Sequence, residues 1–239
     1  MNRRRITPSV IPNLFTAINM FCGFYSIIET SIGNFNYAAW LIFVAALFDA
    51  LDGIVARLTN SSSELGVELD SLSDIVSFGA APAFILYKTY LYQFDVYGII
   101  IASLPMIAGG FRLARFNVQL VGFEKSFFIG LPIPSSALTI ASFVLAFYTD
   151  SYSPPYLHFI IPLVIVVSIL MISNIRYETL PKFSFKSILE KPFHFLFLLA
   201  SVVVVILLYK KGLFFVFVFM IVIGIFRHIY HLFTSRSES

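Results

Sequence analysis

Four aspartates stand at regular spacing inside strongly apolar sequence. Asp49 and Asp52 are three residues apart, and Asp70 and Asp74 are four residues apart. Residues at these spacings share one face of a helix. A carboxylate at membrane depth is costly and needs a compensating cation. The pattern therefore predicts an active site that binds metal ions.

The two aspartate pairs are predicted to converge, because only a short polar loop separates the helices that carry them. Such helices pack antiparallel, which puts Asp52 and Asp70 about 9 Å from the loop and Asp49 and Asp74 one turn deeper. Four uncompensated carboxylates would repel each other and take up protons. Two divalent cations would neutralise them, and oxygen ligands suit Mg²⁺ or Mn²⁺ better than Zn²⁺.

The residues around the aspartates fit a ligand that carries phosphate. Arg57 follows the first pair closely, and a guanidinium group matches phosphate oxygens. Two metal ions about 3.5–4 Å apart would form a clamp for phosphoryl chemistry. Small residues let a ligand or another helix approach the backbone closely. They are Ala46, Ala50, Gly53, Ala56 and Gly66.

Composition indicates that helices embedded in a membrane position these groups. Of the 239 residues, 59% are hydrophobic and 12% are charged, and the mean hydropathy is +0.89, whereas soluble domains carry roughly 25% charged residues. The net charge of +3 indicates no polyanionic partner. Cys22 is the single cysteine, which excludes an intramolecular disulfide.

We predict an all-α polytopic bundle of eight transmembrane helices, in one domain over residues 1–239, with both termini cytoplasmic. Apolar stretches of about 18–25 residues are typical of spanning helices. The predicted helices cover residues 9–31, 36–58, 66–92, 96–117, 131–149, 156–173, 192–209 and 212–233. The connection 174–191 is expected to be a loop or a surface helix.

The orientation follows from the excess of Lys and Arg in cytoplasmic segments. With both termini inside, one side of the membrane carries almost all of these cations, and the aspartates lie near that side. The pair Lys210–Lys211 is an exception. The cations on the cytoplasmic side are Arg3, Arg4, Arg5, Arg57, Arg112, Arg115, Lys125, Arg176, Lys182, Lys186, Lys191, Arg227 and Arg236.

The pattern D-x-x-D-G-x-x-A-R-x8-G-x-x-x-D-x-x-x-D, from Asp49 to Asp74, resembles the signature of the CDP-alcohol phosphatidyltransferase family at every fixed position. The resemblance implies an integral membrane enzyme, with a homodimer as its assembly. Such enzymes transfer a phosphatidyl group from a CDP-linked lipid to an alcohol and release CMP. The resemblance implies that all four aspartates bind the metals and that Asp74 is also the general base. It further implies that Gly53, Ala56, Arg57 and Gly66 line the CDP site.

Shorter strings look like the phosphatidylserine synthase branch, of the membrane-embedded, metal-dependent type. That likeness implies CDP-diacylglycerol and L-serine as substrates. No other nucleophile is obvious in the sequence, so direct displacement of CMP is the simpler mechanism. It extends over roughly the first three quarters of the chain and leaves out the last two helices. The strings are residues 12–19 (PNLFTAIN), 112–117 (RLARFN), 130–134 (GLPIP) and 173–177 (SNIRY).

Several polar residues are candidates to bind the substrates. Arg112 and Arg115 share a helix face and could hold the serine carboxylate or a lipid phosphate; the alternative is anchoring at the interface. Asn117 is a candidate to orient the acceptor. Asn13 and Thr16 are candidates to contact the nucleotide, and hydrogen bonding between helices is the equal alternative.

Two other functions deserve comparison. Glycerol phosphate or inositol phosphate as acceptor would demand more cations, to hold a second phosphate. A cation transporter would carry its acids nearer the bilayer midplane, and Arg57 would repel a passing cation. We therefore favour a phosphatidyltransferase as the predicted function.

Overall fold

Eight apolar helical segments follow one another in the computed structural model, which describes residues 10–59, 61, 63–119, 127–149, 154–178 and 192–235. The third segment has three parts, and a 3-10 helix (Leu91–Phe94) precedes the fourth. The elements are α1 (Val10–Ser31), α2 (Phe35–Leu58), α3 (Glu64–Asp74) with a π-helix (Ile75–Ala80) and α4 (Ala81–Thr89), α5 (Asp95–Gln119), α6 (Ile133–Phe147), α7 (Pro154–Ile172), α8 (Pro192–Leu208) and α9 (Lys210–Ser235).

The predicted helical class is confirmed, but a count of eight membrane spans is not. Among the described residues, five segments are long and apolar enough to cross a membrane. The apolar stretches of α6, α7 and α8 are shorter. The five spans are Val10–Ser31, Phe35–Leu58, Glu64–Thr89, Leu91–Val118 and Lys210–Tyr230.

The charge bias remains a prediction, because many of the cations on which it rests lie outside the described residues. Arg57, Arg112 and Arg115 are described and stand towards the ends of α2 and α5. Those outside are Arg3, Arg4, Arg5, Lys125, Lys182, Lys186, Lys191 and Arg236.

Helix α1 buries its polar face and exposes its apolar face. Phe21 and Phe24 are exposed, whereas Asn19 and Ser26 are fully buried. The Ser26 hydroxyl donates to the Ala38 carbonyl of α2 over 2.8 Å. This arrangement suits a bilayer, where lipid surrounds apolar side chains and polar side chains bond between helices.

The third segment changes helix type immediately after Asp74. The α-helix α3 begins at Glu64 with Ser63 as its N-cap, whose Oγ accepts a bond from the backbone of Gly66. It becomes a π-helix at Ile75. Hydropathy predicts a helical segment here but not the change of helix type, because the same kinds of residue form α-helices and π-helices. Single π-turns are frequent at functional sites.

Hydrogen bonds and a close approach hold helix α1 against the end of α3 and against this π-helix. Ser73 Oγ donates to the Thr16 carbonyl over 3.0 Å, and Ser77 Oγ donates to the Asn19 carbonyl over 2.8 Å. A Cβ atom at Gly23 would collide with Ser77, including its backbone Cα. The position of the π-helix therefore depends on a glycine and two serines.

A short antiparallel ribbon joins strand β1 (Phe127–Ile129) to strand β2 (Arg176–Glu178). Gly130 follows β1 with φ of 80°, and a Cβ there would fall on the Met171 carbonyl. The prediction of a loop or surface helix for 174–191 is wrong at β2, and residues 179–191 lie outside the described part. Three-residue strands give no periodic signal, and their pairing partners are far apart in sequence.

The start of α2, the end of α6 and the start of α9 meet at the end of the bundle opposite the aspartates. A cleft of about 500 Å³ there is lined by Asn36 of α2, Thr149 after α6, and Lys210 and Lys211 of α9. The pair Lys210–Lys211 therefore lies at the end where the sequence predicts few cations. It remains an exception to the charge bias.

Gly23→Ala is expected to destabilise the protein, because the added methyl group would strike the backbone of Ser77. Overpacking of this kind costs about 1–3 kcal/mol. Thermal unfolding of the detergent-purified protein would measure it. Gly110→Ala is the matched control, since its Cβ would meet only Ile75 Cδ1, at an ordinary 3.6 Å. Equal melting temperatures for the two variants would contradict the proposed contact.

Candidate metal centre and active site

Three carboxyl groups from two helices meet at one point. Asp49 of α2 and Asp70 and Asp74 of α3 each offer an oxygen, and these three oxygens lie within 4.8 Å of one another. The carboxyl groups of Asp49 and Asp74 lie close enough to act on each other directly. Asp74 is only 6% exposed. Anions this close and this buried need cations or protons between them.

The carboxyl groups retain the capacity to bind a cation. Oδ1 of Asp70 and Oδ1 of Asp74 are both buried and have no hydrogen-bond partner among the described residues. Buried polar atoms are nearly always paired, so an unpaired one calls for an explanation. Oxygen donors from carboxylates are the ligands that Mg²⁺ and Mn²⁺ prefer. The donor set therefore fits a hard divalent cation.

Asp52 stands beside this cluster and is held by a partner of its own. Its Oδ2 accepts a hydrogen bond of 2.8 Å from Thr16 Oγ1. Its charge nevertheless acts on both Asp49 and Asp70. The sequence treats the four aspartates as equivalent, whereas the structure gathers three and gives the fourth a hydroxyl donor from α1. Thr16 thus makes a hydrogen bond between helices, the alternative considered for it above.

The residues predicted for the nucleotide site lie around the loop that joins α2 to α3. Arg57 is exposed, and its guanidinium group extends over Gly53, where a Cβ would lie 3.7 Å from Nη1. A Cβ at Gly66 would lie 3.4 Å from Asn13 Oδ1. Glycine at these two positions leaves the backbone accessible beside a cation and an amide.

Ala56 belongs to the same loop region. Its carbonyl accepts a hydrogen bond of 3.1 Å from the backbone of Ser61, which closes the C-terminal turn of α2. The side chain is half-buried. Ala56 therefore shapes the mouth of the site through its backbone and its small size.

The three residues predicted to bind the acceptor have separate surroundings. Arg112 is buried, at 6% exposure, and its charge acts on Asp74. Asn117 Nδ2 donates to Ser71 Oγ on α3 over 3.0 Å, while its buried Oδ1 has no partner among the described residues. Arg112 and Asn117 therefore both stand against the helix that carries Asp70 and Asp74.

Arg115 is directed away from the carboxyl cluster. Its guanidinium group donates to the carbonyls of Ile129 at 3.0 Å, Ile172 at 3.1 Å and Ser173 at 3.3 Å. The last carbonyls of a helix lack partners within the helix, and a cation at this end also complements the helix dipole. Arg115 thus ties α5 to the end of α7 and to the ribbon.

Two serines that the sequence analysis did not select support the site. Ser71 holds the amide of Asn117, and Ser63 caps the helix of Asp70 and Asp74. The capping role has a sequence signal, because serine before a helical stretch is a typical N-cap. The role of Ser71 has none, since its partner lies 46 residues away.

The fold and site define a polytopic helical membrane protein with a carboxylate cluster at one end of the bundle. The chain matches the CDP-alcohol phosphatidyltransferase family over residues 9–174. That match spans well over half of the 239 residues. The protein therefore belongs to the CDP-alcohol phosphatidyltransferase family.

Two curated relatives of similar sequence give a more specific comparison. The CDP-diacylglycerol–serine O-phosphatidyltransferase of Helicobacter pylori is 40% identical over 178 residues, which cover 72% of this chain and 73% of the relative. The archaetidylserine synthase of Methanothermobacter thermautotrophicus is 41% identical over 180 residues, covering 74% and 73%. Both enzymes are named for serine, and the names differ in the lipid.

A solved structure shares the fold. The crystal structure of Mycobacterium tuberculosis phosphatidylinositol phosphate synthase with CDP-DAG bound superposes with a TM-score of 0.51. The two sequences are 21% identical, and the match covers 71% of this chain and 84% of the other. At this identity the likeness concerns the fold alone.

Thr16→Val is expected to weaken metal binding, because Asp52 loses the hydroxyl donor that orients it. Loss of such an outer partner typically lowers metal affinity by about 10- to 100-fold. Titration of the purified protein with Mn²⁺, followed by electron paramagnetic resonance of the free ion, would measure it. The control is Thr30→Val on the same helix, which removes only a bond to the Ser26 carbonyl. Equal Mn²⁺ affinity in both variants would show that the Thr16 bond serves packing alone.

Arg115→Met is expected to lower thermal stability, because several carbonyls at the end of α7 would lose their donor. A hydrogen bond to a charged group contributes about 1.5–3 kcal/mol. The melting temperature is the measurement, and Lys211→Met, an exposed cation at the other end, is the control. An unchanged melting temperature with a raised KM for the acceptor would instead support the acceptor role predicted from sequence.

Proposed function

We propose that this protein is a CDP-diacylglycerol–serine O-phosphatidyltransferase. It transfers the phosphatidyl group of CDP-diacylglycerol to L-serine and releases CMP. The observation that carries the proposal is identity of about 40% to serine-specific relatives over nearly three quarters of both chains. The cluster of Asp49, Asp70 and Asp74 supports the same conclusion, since its donor set suits the metal ions that phosphoryl transfer requires.

Asp49, Asp70 and Asp74 would hold the divalent cations, Mg²⁺ or Mn²⁺, with Asp52 as the fourth carboxylate. When bound, the cations neutralise the pyrophosphate and stabilise the charge that develops on the departing CMP. Thr16 orients Asp52 through its hydroxyl. The proposed number of two cations rests on charge balance. Four carboxylates and a pyrophosphate diester together carry about six negative charges, of which two divalent cations and Arg57 offset about five.

Asp74 is the proposed general base. Its buried Oδ1 has no donor among the described residues, so this oxygen can accept the proton of the serine hydroxyl. The serine oxygen then forms a bond to the phosphorus that carries the diacylglycerol, and the bond from that phosphorus to the CMP oxygen breaks. Base assistance of this kind contributes about 10²–10⁴-fold to the rate.

Arg112 and Asn117 are the proposed contacts to the serine carboxylate and ammonium. Arg112 supplies a buried positive charge beside Asp74. Asn117 has its amide nitrogen engaged by Ser71, which leaves its carbonyl oxygen as an acceptor for an ammonium group. A donor for an anion and an acceptor for a cation suit a zwitterionic alcohol. The prediction that Arg115 shares this role is weaker, because its guanidinium group already serves the end of α7.

The nucleotide is proposed to bind at the mouth between α1, α2 and α3. Arg57 is exposed beside Gly53 and can reach phosphate oxygens. Asn13, next to Gly66, offers an amide to the base or ribose. Ala56 and the two glycines keep this mouth open to a ligand.

The membrane arrangement forms part of the proposal. All eight helical segments cross the bilayer as one domain, the site faces the cytoplasm and the protein forms a homodimer. The orientation is supported by Arg57, Arg112 and Arg115 on the side of the aspartates, in accordance with the positive-inside bias. The homodimer follows from the family resemblance.

The proposal is tested with purified protein in lipid nanodiscs, CDP-diacylglycerol, and either Mg²⁺ or Mn²⁺. We expect CMP release with L-serine, little release with glycerol 3-phosphate or inositol 1-phosphate, and none after chelation by EDTA. Asp74→Asn should lower turnover by at least about 10²-fold while binding of the CDP-lipid is retained. Asp95→Asn, the same exchange at the start of α5, is the control.

Three outcomes would contradict parts of the proposal. CMP release that requires a phosphorylated polyol and is absent with serine would exclude the serine assignment. Full loss of CDP-lipid binding in Asp74→Asn would exclude the assignment of Asp74 as a base that acts after binding. Turnover in the presence of EDTA would exclude the metal ions.

A further inference from the structure

Asn19 is a buried amide with no role in the site as described so far. Its side chain is 0% exposed, and neither Nδ2 nor Oδ1 has a hydrogen-bond partner among the described residues. Its backbone carbonyl accepts a hydrogen bond from Ser77 Oγ. An unpaired buried polar group is destabilising, and in this segment an apolar residue would avoid that cost.

Asn19 lies at the same depth as Asp49. Thr16 on α1 is bonded to Asp52 on α2, and consecutive helices joined by a short turn run antiparallel. Three residues onward along α1 and three residues back along α2 are both displacements of about 4.5 Å in the same direction. These steps lead from Thr16 to Asn19 and from Asp52 to Asp49.

The contacts with α3 and the π-helix place Asp74 within one helical turn of this depth. Ser73 is bonded to the Thr16 carbonyl and Ser77 to the Asn19 carbonyl. Asp74 lies between these two serines in sequence, one residue after Ser73 and three before Ser77. Asn19 and Asp49 therefore share one layer, and Asp74 lies within a turn of it on the neighbouring segment.

Within this turn, Asn19 offers an unused donor and Asp74 an unused acceptor. Nδ2 of Asn19 and Oδ1 of Asp74 are both buried, and neither has a partner among the described residues. We propose that Asn19 is a positioning residue of the metal centre, whose Nδ2 donates to the Asp74 carboxyl group, directly or through one water, when a cation is bound. The inference rests on the proposed function.

The bond would fix the orientation of Asp74 without consuming its other roles. A carboxylate has about four lone-pair sites, so one donor from Asn19 leaves sites for a cation and for a proton. Partners of this kind typically change metal affinity by about 10- to 100-fold. Thr16 on Asp52 and Asn19 on Asp74 would then be equivalent supports, both supplied by α1.

The test measures Mn²⁺ binding without turnover, by electron paramagnetic resonance of free Mn²⁺ in the presence of purified full-length protein in nanodiscs. Asn19→Leu keeps the branching at Cγ and the number of side-chain heavy atoms but has no polar atom, and we expect it to bind Mn²⁺ about 10- to 100-fold more weakly. Its melting temperature should not fall below that of the wild type, because the lost amide had no partner. Ser26→Ala, on the same buried face near the opposite end of α1, is the control and should bind Mn²⁺ normally.

Asn19→Ala provides a second variant if leucine prevents folding. A folded Asn19 variant with wild-type Mn²⁺ affinity would overturn the inference and leave the proposed function intact. Failure of both variants to fold would assign Asn19 to packing and overturn it equally. A wild-type protein that binds no Mn²⁺ would contradict the proposed metal centre itself.

Discussion

The structure depends on holding several negatively charged side chains close together inside an apolar helix bundle. Asp49, Asp70 and Asp74 bring carboxyl oxygens within 4.8 Å of one another, where repulsion is strong unless cations or protons intervene. The neighbouring groups are consistent with that demand. Arg112 supplies a buried positive charge beside Asp74, and Thr16 supplies a hydroxyl donor to Asp52. The carboxylates are held ready for cations that the chain itself does not provide.

Helix α1 carries out much of this organisation, although it holds none of the aspartates. Its apolar side chains face outward, and its polar side chains face α2 and the π-helix. Through Thr16 it holds Asp52, and its backbone carbonyls accept bonds from Ser73 and Ser77 on either side of Asp74. The close approach at Gly23 keeps these contacts in register. Hydropathy alone would describe α1 as a membrane anchor. The structure shows that it positions aspartates on both α2 and α3.

Beyond the aspartates, two arginines of α5 have different roles, one structural and one chemical. Arg115 joins α5 to the end of α7 and the ribbon, while Arg112, one helical turn earlier, faces Asp74. The ribbon in turn contacts α9, where the ring of Tyr177 lies against Gly224. Helix α9 lies beyond the family match, which ends at residue 174. It therefore extends the shared core through packing against the ribbon and α6.

The sequence by itself determined the helical class, the approximate helix bounds and the family, because hydropathy, periodicity and the spacing from Asp49 to Asp74 are local properties. It also placed Asp49 and Asp74 at the same depth. Only the tertiary structure decided that Asp52 bonds to Thr16, that Arg115 caps α7, and that two three-residue strands pair. Each of these depends on which neighbour a side chain or strand meets across tens of residues. Spacing along one helix defines a shared face, but the partner of that face is chosen by packing.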